Sequence, residues 1–152
     1  MTFHEMTFHE TVPTTAADQP QAWGGQHASP RLASSMRAKQ RQRIRELRTA
    51  LIRSGFVALD QQTTALGLSR STTWAVLQGN YKCTGLRAAL IARMLASPML
   101  PDKAREILLT YIAERAQGIY GHGKKQRRRF VTELQRQGLE LGRGELAVGR
   151  GR

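Results

Sequence analysis

The stretch LDQQTTALGLSRSTTWAVLQGNYK, Leu59–Lys82, decides the fold. At its centre Gly67-Leu68-Ser69 reads as a tight turn between two short helical segments. Gly67 tolerates the positive φ that a steep helix–helix turn requires. Leu66 and Leu68 bracket it and are placed to plug the groove between the helices. Asp60 is expected to cap a helix over about Asp60–Leu66. Ser69 is expected to cap another over about Arg70–Gln78, because a short side-chain oxygen accepts from an orphan N–H of the first turn. Val76 and Leu77 face back toward a core. That leaves Arg70, Ser71, Trp74, Ala75 and Gln78 on the outward or flanking faces, with Gly79 and Asn80 as stop signals. A Trp there is expected to lay its ring on the edge of the core and point its indole N–H outward.

The helical period continues on both sides. Upstream, Met36, Gln40, Ile44, Leu47 and Leu51 recur at steps of three and four, and Gly55 ends the run. Downstream, Leu86, Leu90 and Met94 form one stripe, with Ile91 and Leu95 beside it and Pro98 as the stop. A fifth helix opens at Pro101, with Asp102 favourably placed near its positive end. Its buried stripe is Ala104, Ile107, Leu108, Tyr111, Ile112 and Arg115, the last snorkelling to water. Gly118, Gly121 and Gly123 are read as the end of the compact part. A further helix over Lys124–Gln137 would turn Phe130, Val131 and Leu134 inward, within a basic C-terminal extension. No strand pattern is present. The chain therefore reads as all-α, a five-helix bundle over about Ala33–Gln117. Three segments are expected: a disordered N-terminal tail (1–30), a helical domain (31–118) and the extension (119–152).

Charge points to the partner. The chain carries a formal net +13. Residues 31–53 hold eight bases against the single acid Glu46, and residues 119–152 hold nine bases against three acids. Such an excess must face an anion, whether nucleic acid, an acidic membrane surface or an acidic partner, and charge packed this densely on the first helix favours phosphate contact over a merely solvated face. One cysteine, Cys83, excludes an intramolecular disulfide and a cysteine cage for metal. No apolar run reaches the ~20 residues of a membrane span, and no secretory signal is visible, so a cytoplasmic location is expected. Residues 1–10 repeat the pentapeptide MTFHE, read as a tandem duplication rather than as metal ligands His4 and His9. His27 and His122 fall in segments read as loops. No nucleophile–base pair, metal set or phosphate loop is legible, so no enzyme, cofactor or metal is expected.

The turn Leu66-Gly67-Leu68-Ser69, followed by Ser71-Thr72-Thr73 and Val76-Leu77-Gln78-Gly79, resembles the lambda-repressor/Cro-like helix-turn-helix family. Ala88–Leu95 is similar to its fourth helix, and the resemblance covers about Arg43–Ala116. Two positions depart from the family pattern. Thr63 stands where a small residue is usual. Thr73 stands where Val or Ile is usual, and its hydroxyl is expected to bond the carbonyl of Ser69 or Arg70.

The resemblance implies sequence-specific binding of double-stranded DNA by a transcriptional regulator. The recognition helix would lie in the major groove, with Arg70, Ser71 and Ala75 reading base edges. Ser69, Gln78, Tyr81, Lys82, Arg41 and Arg45 would contact the backbone. A homodimer on a pseudo-palindrome would extend the site. The alternatives are an antitoxin-like or adaptor module that binds a protein through an exposed apolar patch on the fifth helix or Lys124–Leu141, and a basic RNA-binding protein that needs exposed aromatics for stacking.

Overall fold

The computed structural model describes residues 30–79, 81 and 84–139. The proposed N-terminal tail, Asn80, Lys82, Cys83 and the last residues of the C-terminal extension lie outside the described residues. Six helices follow one another: α1 Pro30–Arg53, α2 Leu59–Leu66, α3 Arg70–Leu77, α4 Ala88–Ala96, α5 Asp102–Gln117 and α6 Lys124–Arg136. Among the described residues there is no strand.

Local chemistry sets the helix ends. After α1, the Phe56 N–H bonds the Leu51 carbonyl at 3.0 Å and the Gly55 N–H bonds that of Ile52 at 3.0 Å, the paired bonds of a Schellman stop. The start of α2 corrects the expectation for Asp60. Ala58 holds the cap position, Asp60 lies in the first turn, and the Gln61 amide oxygen accepts from the N–H groups of Val57 (2.9 Å) and Ala58 (3.0 Å). The Gln side chain reaching back is one half of a capping box; no side chain caps the first-turn N–H groups from Ala58. The turn at Gly67 is as expected, with φ 64°.

Packing joins α1 to α5 and α3, α2 to α3 and α4, and α6 to α4 and α5. Leu47, Leu51, Leu66, Val76, Ile91, Met94, Leu108 and Ile112 are fully buried. Leu90 and Ile107, both expected in the core, are half-buried because each lies at the margin of its helix's inward stripe.

Two corrections belong together. The bundle does not end near Gln117: Tyr120, Phe130 and Leu134 are buried, so α6 completes the core against α4 and α5. Arg115 does not snorkel either. It is only 8% exposed, its Nη1 donates to the Leu86 carbonyl, and its guanidinium sits 4.0 Å from the centroid of the Phe130 ring. Phe130 roofs the position that would otherwise open to water, and the ring face supplies part of the lost hydration. Burial lowers the Arg115 pKa, as expected of a cation with no carboxylate beside it.

A polar cluster fastens the other side of the α5–α6 joint. Glu114 accepts from Arg43 of α1 and from the Tyr120 hydroxyl. Burial pushes the Glu114 carboxyl up, but these bonds outweigh it and hold the group below the usual carboxylate range. The Tyr120 ring lies 5.2 Å from that of Tyr111. Next to it, His122 Nε2 donates to the Thr84 carbonyl at 2.8 Å, while Nδ1 is buried with no partner among the described residues.

Leu134→Ala is expected to destabilise the protein by about 2–5 kcal/mol in a denaturant melt, the range for a buried leucine. A cost under about 1 kcal/mol would place α6 outside the cooperative core. His122 gives a pH signature. Burial, with Arg115 nearby, lowers its pKa below 6.5 although the Thr84 bond opposes this. The unfolded chain therefore takes up the proton first, and stability is expected to fall as pH drops below about 6.5. His122→Gln should flatten the stability–pH curve over that window; an unchanged slope would show that His122 is not its source.

Candidate nucleic-acid interface

Ser69 opens α3 by accepting from the Thr72 N–H at 3.3 Å, and its Oγ lies 2.8 Å from Thr72 Oγ1. Its hydroxyl is thus occupied by capping, which leaves it less suited to the phosphate contact expected of it. Beyond this cap, Arg70, Ser71, Trp74 and Gln78 are exposed and fall at helical spacing on one face. Ala75 is half-buried at the edge of that face. Thr73, Val76 and Leu77 anchor the opposite face, all buried. The face is therefore presented by a helix anchored in the core on its other side.

Arg70 is paired. Its Nη1 lies 3.1 Å from Asp60 Oδ1 of α2, with both side chains largely exposed (69% and 72%). An exposed pair of this kind contributes little, about 0–1 kcal/mol, so a stronger acceptor can displace it. Trp74 is 51% exposed, more than its expected packing against the core edge implies. One side of its ring borders a small cavity of about 130 Å³ with Val57, Leu77, Gln78 and Arg48.

The arginines of α1 divide. Arg37 and Arg41 line a cavity of about 240 Å³ together with Val76, Gly79 and Tyr81. Arg48 sits beside Trp74 and Gln78. These three share the side of α1 that packs on α3, following the steps of four and seven that return a helix to one face. Arg45 is exposed but lies with Gln42, Glu46 and Thr49, away from α3. Of the two α1 contacts expected, then, Arg41 joins the α3 surface and Arg45 does not. Arg37 and Arg48 join it without having been singled out. Spacing alone does not single them out, since Arg45 is also four residues from Arg41; the way α1 crosses α3 does. Tyr81 is half-buried and packed against the core, so its ring serves packing first. Lys82 lies outside the described residues.

The expected partner of the Thr73 hydroxyl is not there: Oγ1 is buried and unpartnered among the described residues, as is that of Thr63. Thr63 and Thr73 thus carry the two orphaned threonine hydroxyls of the α2–α3 pair. Exposed apolar side chains on α5 amount to Leu109 alone, and the described part of α6 exposes none. Among the described residues no group of three or more His, Cys, Asp or Glu could hold a metal ion, and no helix is long and apolar enough to cross a membrane.

No protein-family model matches the chain, and no match is found among curated proteins or solved structures.

Thr73→Val keeps the shape of the side chain and removes the orphaned hydroxyl. It is expected to raise stability by about 1–3 kcal/mol, the cost of a buried unsatisfied polar group. A melt showing a loss instead would mean that the hydroxyl has a partner.

Proposed function

We propose that the α2–turn–α3 unit is a DNA-reading helix-turn-helix, with α3 entering the major groove and the protein acting as a sequence-specific transcriptional regulator. One observation carries this reading: Arg70, Ser71, Trp74 and Gln78 share one exposed face of a helix whose other face is buried, with Arg37, Arg41 and Arg48 of α1 bordering it. A core-anchored helix with polar side chains outward can be read into a groove, and flanking guanidiniums fix its register on phosphates without reading sequence. Arg70 is the base reader, since its planar fork matches guanine O6/N7 in a bidentate pair. Docking exchanges Asp60 for the base edge. Ser71 reads from the same turn, and Ala75 meets a thymine methyl at the edge of the face. Two protomers on a pseudo-palindrome would set half-sites about one helical turn, ~34–36 Å, apart.

The test is a binding selection from random duplexes with wild type and Arg70→Ala, beside a thermal melt of each. Arg70→Ala is expected to cost roughly 1–3 kcal/mol on the best site and to relax one base position per half-site. The melting temperature should hold, because Arg70 is exposed and Ala favours helix. Identical motifs and affinities for two equally folded proteins would remove Arg70 as a reader and α3 as the recognition helix.

A further inference from the structure

We propose that the outer face of α6 is a second, sequence-independent binding site for the phosphate backbone of duplex DNA, so that one protomer holds two duplexes. The inference rests on the α3 reading for the first duplex only.

Lys124, Lys125, Arg128, Arg129 and Arg136 are exposed together on the outer face of α6. The acid on this face, Glu133, is already engaged by Arg136 at 3.0 Å and by the Gln137 side chain at 3.1 Å. Among the described residues no ion pair neutralises the other four cations. Their arrangement works against the helix that carries them. Lys124 and Arg128, and Lys125 and Arg129, are like-charge neighbours four residues apart. The first turn of α6 has no acid and begins with two lysines, where the macrodipole disfavours cations. An array unfavourable to the free helix becomes favourable once an extended anion lies across it.

The helix also says which anion. Its apolar side chains Phe130 and Leu134 are buried in the core, so α6 has no apolar face free to enter a lipid surface. Its outer face carries no aromatic, so it offers no platform for stacking the bases of a single strand. A row of cations without aromatics or a free apolar face suits regular backbone charge. Duplex DNA presents one charge per about 1.7 Å of axis, and α6 is roughly 20 Å long, enough to meet several phosphates at once. This face is carried by a helix that packs on α4 and α5, whereas α3 packs on α1 and α2. The two cationic surfaces thus belong to different helix pairs.

The experiment tethers a duplex bearing the selected site, loads full-length protein, and measures retention of a labelled random-sequence duplex. Wild type is expected to retain it. The triple variant Lys125→Gln, Arg128→Gln, Arg129→Gln should load on the tethered duplex as wild type does but lose the second duplex about tenfold or more, since each lost phosphate contact weakens binding and flattens its salt dependence. Gln favours helix as Lys and Arg do, so a melt should show the fold intact. The charge-keeping exchange Lys125→Arg, Arg128→Lys, Arg129→Lys should retain the second duplex. The proposal is overturned if the Gln variant still retains the second duplex, or if it loses the tethered one equally, which would make α6 part of the first site. Failure of the α3 reading looks different: wild type and Arg70→Ala would then show no motif preference, while retention of random duplex would still respond to the α6 variant.

Discussion

Both backbone groups of Leu86 are held by side chains of α5. The Leu86 N–H donates to the Tyr111 hydroxyl at 2.9 Å, and the Leu86 carbonyl accepts from Arg115, one helical turn further on. The same hydroxyl accepts from Gln40 of α1 at 2.8 Å. One buried oxygen therefore ties α1, α5 and the segment leading into α4. The residue before Leu86 has to be glycine. Gly85 has φ 79°, and a Cβ there would lie 1.8 Å from Gln40 Nε2 and 2.5 Å from the Tyr111 hydroxyl. This junction fixes where the chain returns to the core after α3, and hence how α3 sits on α1. The cavity bordered by Arg37 and Arg41 is walled by the same groups: Gln40, Gly85, Leu86 and Tyr111. The geometry of the candidate interface is inherited from a hydrogen-bonded knot on its inner side.

The second consequence runs outward from Arg115. A guanidinium buried to this degree needs acceptors or a ring face, because dehydration of an unpaired charge is costly. The Leu86 carbonyl supplies one, and Phe130 of α6 supplies the other. With Phe130 over Arg115 and Leu134 buried in the core, α6 is part of the bundle rather than an appendage, and Glu114 holds the connection that leads to it through Tyr120. That anchoring lets α6 hold its cations in a fixed array, which a loose basic tail would not do.

Much of the fold was legible because its signals are local. Gly67 and Ser69 determine the α2–α3 turn within a few residues, and the period of Ile44, Leu47 and Leu51 is visible in one window. Most of what differs from the sequence reading depends on contacts distant in sequence. Arg115 reads as a snorkelling residue until Phe130, fifteen residues later, is seen to cover it. Gly118, Gly121 and Gly123 look like an ending, yet they make the corner that returns α6 to the core. Asp60 reads as a cap because carboxylates often are, but the cap position lies two residues earlier, at Ala58, where Gln61 reaches back to the Val57 and Ala58 N–H groups. At the candidate interface, the exposed face of α3 followed from its own period. Which α1 arginines border it did not, because that depends on the crossing of α1 and α3, set by the Tyr111 junction. The expected partner for the Thr73 hydroxyl failed because no described acceptor comes within reach.

The central claim is that α3, and not simply total positive charge, meets DNA. An NMR titration of the full-length protein with a duplex carrying its selected site tests this most directly, since each backbone amide reports its own surroundings. The expected result is saturable shifts at Arg70, Ser71, Ala75 and Gln78 with the selected duplex, weaker or absent there with a scrambled one. Shifts confined to Lys124–Arg136, the same for both duplexes, would contradict the claim and leave a protein that binds DNA by charge alone.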